Sequence, residues 1–411
     1  MNIPDPGEWI DSRQSHLIKT LMELSAINSG TTNLQGLAHM ENAFSELFQP
    51  LSSEVEIIAS EQAKEADHLG KVHTRSYGNM LRFCKRPDAP IQVLLVGHMD
   101  TVFPFDSLFQ NPIKLDDNVL NGPGVADMKG GILVMLTALE AFEGVSGCER
   151  LGWQVLLNAD EETGSHGSRR MLVSAADTAH VGMIFEPALA DGTLSRVRKG
   201  SGNFTLIAHG HSAHAGREFE KGVNAILALN QAMAQLAALT DLSRGITVNV
   251  ARISGGSAFN VIPDTAVCQF NIRCALRQDQ QQLKLRLEEM LEQWNTNGDV
   301  RFELHGDFTR PPKQVSRAHQ LLMDWLVECG ETQGIDIAFK DTGGCCDGNN
   351  LADAGLPNLD TLGVLGGHIH TADEFMLMDS LAQRAKLSLA LLQRLLLDGD
   401  QLLALREPDL C

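Results

Sequence analysis

Short apolar runs that are typical of buried strands alternate along this chain with longer stretches that have the period of amphipathic helices. The first fifty residues have the helical period, over 7–27 and 34–50. Strands are then predicted over six apolar runs: 54–59, 72–84, 91–98, 152–158, 181–186 and 357–363. Further helices are predicted over four segments: 129–143, 167–176, 316–333 and 378–398. This alternation predicts an α/β fold with a mixed, mostly parallel sheet flanked by helices.

The middle of the chain follows a different order, which predicts a second domain. Its elements are strand 200–208, helix 223–240, strands 246–253 and 266–274, helix 277–296 and strand 299–305. The order β-α-β-β-α-β is that of a ferredoxin-like unit. It begins after TLSRVRKG and ends before TRPPKQ, where two prolines mark a break. We therefore predict a catalytic domain formed by 1–196 and 309–411, with 197–308 inserted into it.

The length and charge of the chain narrow the classes of protein and partner. A chain of 411 residues is too long for one ordinary core, which also favours two domains. The formal net charge is −19, and such a chain repels nucleic acid, whose binding needs clustered lysine and arginine. No apolar run approaches the roughly 20 residues of a membrane span. We therefore expect neither a nucleic acid nor a membrane as partner.

The cysteines and the first residues favour a cytoplasmic location. Eight cysteines are scattered along the chain, and the one close pair is Cys345 and Cys346. No C-x-x-C spacing occurs, so free thiols in a reducing compartment are expected. The stretch MNIPDPGEWIDSRQSH has neither the basic nor the apolar region of a signal peptide. The role of the cysteine pair stays open.

Candidate chemistry first appears in the stretch LLVGHMDTVFP, where an apolar run leads into His98 and Asp100. Alternate side chains of a strand point the same way, so the two groups can reach one point or touch each other. Taken alone, the pair also fits a strand end whose polar residues meet water.

Residue types that bind metals recur after other apolar runs and in glycine-rich loops. They are Asp127, Asp160, Glu161, Glu162, Glu186, His368 and His370. Each would be unremarkable in a solvated loop. The carboxyl ends of the strands in an open α/β sheet meet at one edge, however, so all of these loops are expected to converge there.

These motifs, taken in order, carry a family resemblance. H-x-D-T-V, G-x-x-D-M-K-G-G, D-E-E-x-G-S-x-G-S, E-P and H-x-x-x-E resemble the aminoacylase/carboxypeptidase family of dinuclear zinc metallopeptidases. That family includes acetylornithine deacetylase, succinyl-diaminopimelate desuccinylase and glutamate carboxypeptidase. The resemblance covers nearly the whole chain, and DEETGSHGSR, SAHAG and NVIPDTA are most similar to bacterial glutamate carboxypeptidase. It implies a zinc-peptidase-like catalytic domain with an inserted lid and dimerisation domain.

The resemblance also implies a ligand set for two zinc ions per chain. Asp127 would bridge both ions, His98 and Glu186 would complete one site, and Glu162 and His370 would complete the other. The donors fit, because zinc binds imidazole nitrogen and carboxylate oxygen and paired catalytic metals need a bridging ligand. Co²⁺ or Mn²⁺ would fit the same ligands.

Several assignments in the catalytic domain depend on the resemblance. Asp100 would orient the ring of His98, and Glu161 would act as the general base. The histidine ligand is less clear, since His368 and His370 are both candidates. The family histidine precedes a glutamate by four or five residues, so the spacing from His370 to Glu374 favours His370.

Three residues of the inserted domain are implied to act on the substrate. His214 would stabilise the oxyanion, and Asn260 and Arg273 would bind the substrate's carboxylate. Arginine suits this task because its planar fork pairs with a carboxylate through two hydrogen bonds. Arg273 could instead be an ordinary residue on a strand surface, and Asn260 could form an Asx-turn before Pro263.

The sequence therefore predicts a dinuclear zinc metallohydrolase that cleaves an amide or peptide bond next to a free carboxylate. Its substrate would be a small peptide or an N-acyl amino acid. One alternative is an N-acetyl or N-succinyl amino-acid deacylase, and another is a non-catalytic binding protein that retained the fold. The chain is expected to form a homodimer through 197–308, with His214 reaching the active site of the neighbouring subunit.

Overall fold

The computed structural model describes residues 5–405, apart from the side chain at position 297. Within that range the helices are α1 Pro6–Ser25, α2 Leu34–Phe48, α3 Lys129–Phe142, α4 Arg169–Thr178, α5 Ala225–Ala237, α6 Arg277–Asn297, α7 Arg317–Thr332, α8 Asp347–Asp353, α9 Ser380–Asp398 and α10 Asp400–Leu403. The strands are β1 Glu54–Ile58, β2 Ala63–Ala66, β3 Val72–Arg75, β4 Met80–Lys85, β5 Ile91–His98, β6 Ile113–Lys114, β7 Val119–Asn121, β8 Leu151–Asn158, β9 Val181–Ile184, β10 Ala188–Leu189, β11 Leu194–Arg198, β12 Gly200–His209, β13 Thr247–Gly255, β14 Thr265–Cys274, β15 Arg301–Arg310, β16 Phe339–Thr342, β17 Asn358–Leu359, β18 Leu365–Gly367 and β19 Phe375–Leu377.

A six-stranded sheet with the order β1-β4-β8-β5-β9-β17 forms the centre of the molecule. Strands β8, β5, β9 and β17 run parallel, β4 pairs antiparallel with β8, and β1 pairs antiparallel with β4. Helices cover both faces. Val93 and Leu95 of β5 face the larger core under α1, α3 and α9, whereas Leu94 and Val96 face α4 and α8. The predicted α/β class and the mixed, mostly parallel sheet are confirmed.

Two predicted strands of this sheet were too long. The run 72–84 is not one strand, because β3 pairs with β2 in a separate hairpin and β4 alone enters the central sheet. Residues 76–79 between them belong to no strand, and at Gly78 in this stretch an added Cβ would lie 2.9 Å from the Cβ of Ala159. The run 357–363 forms a strand only as β17, because the next residues leave the sheet and Thr361 has a φ of 60°.

The middle of the chain builds its own antiparallel sheet with the order β13-β14-β12-β15. Helices α5 and α6 pack on one face of it and enclose a separate apolar core. The elements follow the βαββαβ order expected from the sequence, although β15 runs to Arg310, beyond the predicted end of the strand at 305. The division into domains stays a prediction, and residues 1–4 and 406–411 of the predicted outer domain lie outside the described range.

A third, smaller sheet has the order β10-β18-β19-β7-β6. It brings the loop that carries Asp127, after β7, beside the loop that carries His370, between β18 and β19. Met376 of β19 pairs with Leu120 of β7. The loop between β18 and β19 therefore lies against the loop that follows β7. No helix within residues 5–405 is both long and apolar enough to cross a membrane.

Candidate metal centre

Three of the predicted ligands come from the carboxyl ends of adjacent parallel strands. His98 is the last residue of β5, Glu162 lies in the turn after β8, and Glu186 lies two residues beyond β9. In the pairing register His98 lies opposite Asn158 of β8. The three strands thus end together, and their side chains converge at one edge of the sheet.

Asp127 and His370 reach the same edge from loops of the small sheet. Glu374 holds the Asp127 loop, since its two carboxylate oxygens accept hydrogen bonds from the backbone N–H groups of Gly124, Ala126 and Asp127 at 2.9–3.1 Å. Helix α3 begins directly after this loop. Its Gly131 allows a close approach to the loop that bears Glu186, because a Cβ there would lie 2.0 Å from the carbonyl oxygen of Phe185.

The carboxylate of Asp127 is shared between two groups of side chains. Its Oδ1 lies 3.0 Å from Nε2 of His98, which is also 3.9 Å from Oε1 of Glu186. Its Oδ2 lies 3.3 Å from Nε2 of His370, which is also 3.2 Å from Oε2 of Glu162. The structure therefore brings all five predicted ligands together in two groups that have Asp127 in common.

Burial and mutual repulsion both act on the carboxylates of this cluster. Burial, followed by the charge of Asp127, raises the pKa of Glu162 to about 8. Burial likewise raises the pKa of Glu186. For Asp127 burial acts in the same direction, but the hydrogen bonds of His370 and His98 outweigh it and lower the pKa. Clustered acidic groups of this kind are stabilised as carboxylates by a bound cation.

Two observations on the donor atoms fit a metal. A ring nitrogen of His98 and carboxylate oxygens of Asp127 and Glu162 lie within 4.8 Å of one another, as do donor atoms of His98, Glu161 and Glu186. In addition, Oε1 of Glu162 is buried and has no hydrogen-bond partner among the described residues. Imidazole nitrogen and carboxylate oxygen are ligands that suit zinc and related divalent ions. The cluster is a candidate metal site.

Asp100 contacts both His98 and the turn that carries the acidic residues. Nδ1 of His98 lies 2.9 Å from the backbone carbonyl of Asp100 and 3.5 Å from its carboxylate, so the carbonyl is the nearer partner of the ring. The carboxylate accepts hydrogen bonds from the backbone N–H groups of Glu161 and Glu162 and from the hydroxyl of Thr31. Asp100 is therefore placed to orient the ring and the turn together.

Glu161 points its carboxylate toward the same cluster. Burial raises the pKa of this carboxyl well above its ordinary value. The guanidinium of Arg310 donates to its Oε1 at 2.8 Å. A buried carboxylate beside a metal site is suited to accept a proton, which is the function predicted for Glu161.

A cavity of about 460 Å³ opens onto the cluster. Asp127, Glu162 and Glu186 line one side of it, and Arg273 of β14 lines another. The Arg273 guanidinium donates to neutral oxygens, the side-chain oxygen of Asn271 and the carbonyl of Gly343. Among the described residues no carboxylate is recorded within ion-pair distance of it, so its charge is available to a ligand.

His214 and Asn260 do not line this cavity. They lie together on the inserted segment, where the N–H of Ala215 donates to the carbonyl of Asn260 at 2.9 Å and His214 bridges Val261. Both residues are exposed. The structure of the single chain therefore brings Arg273 to the cavity but not His214 or Asn260, and their predicted roles stay predictions.

The structure distinguishes the two candidate histidines by position. His370 contacts Asp127 and Glu162, whereas the ring of His368 lies edge-on against Phe375 with centroids 5.5 Å apart. The other pair left open from the sequence, Cys345 and Cys346, lines the cavity. Both thiols are free, and burial raises the pKa of each.

Sequence reasoning missed several residues that support the cluster. No role was predicted for Thr31 or Asp347, and Arg310 was noted only as part of the TRPPKQ stretch that ends the inserted segment. The sequence did indicate Glu374, because its spacing from His370 favoured that histidine as the ligand. Its contact with the Asp127 loop was not predicted. Arg310 and Asp347 carry no local pattern that indicates a site, because they reach Glu161 only through the tertiary fold.

Residues 94–394 match the model described as peptidase family M20/M25/M40, and this match spans more than half of the chain. The chain belongs to the M20/M25/M40 peptidase family. The predicted family resemblance is confirmed, and the chain is a metallopeptidase or amidohydrolase of this family. The non-catalytic alternative is not supported.

Individual relatives agree with this membership. The M20 chain is 29% identical over 365 residues to carboxypeptidase G2 of Pseudomonas sp. (strain RS-16), covering 87% of this chain and 84% of the relative. It is 25% identical over 423 residues to succinyl-diaminopimelate desuccinylase of Psychrobacter sp. (strain PRwf-1), and the match covers 97% of this chain and 100% of the relative. The structure of an M20 metallo-carboxypeptidase from Sulfolobus solfataricus has the same fold, with a TM-score of 0.71 at 14% identity. The superposition covers 92% of this chain and 98% of that one.

The contacts of Glu374 generate a prediction about this M20 site. Glu374→Ala should weaken metal affinity by roughly 10–100-fold. The reason is that three backbone N–H groups of the loop that carries Asp127 lose the carboxylate that accepts their hydrogen bonds. Isothermal titration of the metal-free protein with Zn²⁺ measures this. Asp373→Ala, an exposed neighbour in the same loop, is the matched control. Unchanged affinity in Glu374→Ala would mean that the loop holds its shape without this carboxylate.

Proposed function

We propose that this M20 chain is a dinuclear zinc metallohydrolase that cleaves an amide or peptide bond next to a free carboxylate. Carboxypeptidase action on small peptides or N-acyl amino acids is the activity that we favour. The observation that carries the proposal is the position of Asp127, whose two oxygens face two separate groups of nitrogen and oxygen donors. A carboxylate placed in this way suits a ligand that bridges two ions.

Each ion would be held by one of the two groups around Asp127. His98 and Glu186 would hold one, and Glu162 and His370 the other. Divalent ions in such sites supply Lewis-acid chemistry, which polarises the scissile carbonyl and makes water more acidic. Zinc is the proposed metal because both imidazole and carboxylate donors are present, and Co²⁺ or Mn²⁺ would substitute.

Glu161 would move the proton in this reaction. Its carboxylate belongs to the group that includes His98 and Glu186, so it lies within reach of water at the site. It would accept a proton from the attacking water and deliver it to the nitrogen of the leaving amine. The carboxylate of Asp100 would keep Glu161 in place by accepting a hydrogen bond from the backbone N–H of Glu161.

Arg273 would select a substrate with a free carboxylate. Its guanidinium lines the cavity and hydrogen-bonds to the uncharged partners Asn271 and Gly343. A planar guanidinium in such a position binds a carboxylate through a pair of hydrogen bonds. The scissile bond would then lie between this arginine and the metal cluster, which line the same cavity.

A second candidate reaction is the removal of an acyl group from an N-acyl amino acid. This candidate is favoured by a relative named succinyl-diaminopimelate desuccinylase, whose whole length matches 97% of this chain. Carboxypeptidase and deacylase reactions both break an amide bond, so the metal cluster serves either one. The wall of the cavity around Arg273, Cys345 and Lys340 would decide between them.

We further propose a homodimer formed through the inserted segment 197–308. The segment has exposed apolar side chains, among them Ile253, Phe259 and Leu227, with relative exposures of 56%, 109% and 62%. Strand β13 is also an unpaired edge within this sheet, which exposes backbone groups to a partner. A two-fold contact here would allow His214, remote from its own cavity, to reach the neighbouring one.

A cytoplasmic location is proposed from the state of the thiols. All seven cysteines in the described range are free, including the adjacent Cys345 and Cys346. Free thiols of this kind persist in a reducing compartment. Fractionation of cells that produce the chain, with detection by antibody, would test the location.

The proposed activity is tested by a substrate screen before and after removal of metal. C-terminal glutamate dipeptides and N-acetyl and N-succinyl amino acids are offered to the purified chain. We expect hydrolysis of at least one class, loss of activity after chelation and recovery with Zn²⁺ or Co²⁺. Turnover of the dipeptides favours the carboxypeptidase, and turnover of acyl amino acids alone favours the deacylase. Full activity in dialysed protein shown by elemental analysis to lack transition metals would contradict the proposal.

The function of Glu161 gives a second test. Glu161→Gln should keep both metals but lower kcat by roughly 10²–10⁴-fold, because the amide cannot accept the proton. Asp100→Asn should differ, with metal affinity reduced by about 10–100-fold. Kinetics and metal analysis of the two variants separate these effects. Normal turnover by Glu161→Gln would require another base.

The carboxylate site gives a third test. Arg273→Ala should raise KM for carboxylate substrates, and Arg273→Lys should fail to restore it because an ammonium does not reproduce the planar fork. Wild-type protein should turn over C-terminally amidated analogues poorly. Equal kcat/KM for free-acid and amidated substrates would contradict the assignment of Arg273.

The dimer gives a fourth test, by complementation between two inactive variants. His214→Ala and Glu161→Gln proteins are mixed and allowed to exchange subunits. If His214 acts across the interface, a mixed dimer contains one site with both changes and one intact site, so activity returns.

Two results would contradict this arrangement. One is a monomer in light scattering at the working concentration. The other is the absence of activity after subunit exchange has been demonstrated with differently labelled chains. Mixing either variant with itself is the control, and it should give no recovery.

A further inference from the structure

Arg310 is a buried arginine that contacts the proposed general base at two points. It ends strand β15 and is 2% exposed. Its Nη2 donates to Oε1 of Glu161 at 2.8 Å and to the backbone carbonyl of the same residue at 3.2 Å. The same nitrogen lies 2.8 Å from the hydroxyl oxygen of Ser165. Side chain and backbone of Glu161 are thus held by one guanidinium.

A second buried carboxylate holds the arginine itself. Nη1 of Arg310 lies 2.8 Å from Oδ1 of Asp347, which is 1% exposed. Asp347 also accepts hydrogen bonds from Ser165 at 2.6 Å and from the side chain of Asn158 at 2.5 Å. Because Asn158 ends strand β8, the network is fixed to the central sheet directly beside the turn that carries Glu161.

The arrangement of charges assigns the arginine to the base rather than to the metal cluster. A buried guanidinium is stabilised when carboxylates offset its charge, and Arg310 has two such partners, Asp347 and Glu161. Neither of them belongs to the five proposed metal ligands. The contact with Glu161 uses Oε1, so Oε2 can carry the proton that is transferred.

We propose that Arg310 is a positioning residue that fixes the carboxylate of Glu161 in the orientation needed for proton transfer, with Asp347 as its anchor. The inference rests on the proposed function, since it assumes that Glu161 is the base. Arg310 also lines the cavity, but both of its terminal nitrogens contact carboxylates of the chain, Glu161 and Asp347, so we assign it to the base rather than to the substrate. Because it belongs to β15, which pairs with β12 at Ser201, it also connects the inserted sheet to the base.

Kinetics of single and double variants test this assignment. With a substrate from the screen, Arg310→Met should lower kcat by about 10²-fold, the cost of displacing a catalytic group by about 1 Å, and leave KM within a factor of about two. Arg310→Lys should recover part of the loss because it keeps the charge. In the Glu161→Gln background, Arg310→Met should cause no further loss of kcat, since the group through which it acts is already gone.

Two measurements that do not depend on turnover accompany the kinetics. Metal content should equal that of the wild type in each Arg310 variant. In the metal-free protein, the urea midpoints of wild type, both single variants and the double variant should show coupling between Arg310 and Glu161. Arg169→Met is the control, because this half-buried arginine forms no ion pair among the described residues and hydrogen-bonds to the carbonyl of Phe308. It should change neither kcat nor the coupling.

Several results would overturn the proposal. A raised KM with unchanged kcat, or a further loss of kcat in the double variant, would make Arg310 a substrate contact. Loss of metal would make it a support of the cluster. If Arg310→Met does not fold, Asp347→Asn provides the same test through the anchor, and unchanged kcat there would refute the network. Absence of hydrolysis by the wild type would instead refute the proposed function.

Discussion

The carboxylate of Asp127 lies between two imidazoles, with one oxygen toward His98 and the other toward His370. Glu162 and Glu186 lie in the same space, within 4 Å of one or the other of these imidazoles. Gathering three carboxylates at one edge of a sheet is unfavourable in a low dielectric, and the raised pKa values of the two glutamates reflect it. A pair of divalent cations would convert this repulsion into binding energy, so the account of the site depends on their presence.

The scaffold contributes to this cluster by limiting how its loops can move. Parallel strands β8, β5 and β9 end in register, while Glu374 fixes the Asp127 loop through three backbone contacts. Helix α3 packs closely against the loop that bears Glu186 because Gly131 has no side chain. The positions of the donor atoms are thus set by packing and hydrogen bonds, which is what a preorganised metal site requires.

Much of the fold and of the site could be predicted because the signals are local. Apolar runs followed by His98 or Glu186 identify strand ends, and an α/β sheet brings such ends together. Arg310 could not be found in this way, since its contacts with Glu161 and Asp347 span 149 and 37 positions. The break in the run 72–84 was missed because both halves have strand composition and differ only in the strands with which they pair in the folded chain.

The central claim is that Asp127 bridges two metal ions, and zinc-edge anomalous diffraction from crystals grown with Zn²⁺ tests it most directly. The account predicts two anomalous peaks separated by about 3.5–4 Å, one on each side of Asp127. One peak should contact His98 and Glu186, and the other Glu162 and His370. A single peak, or two peaks bound by other side chains, would contradict the account.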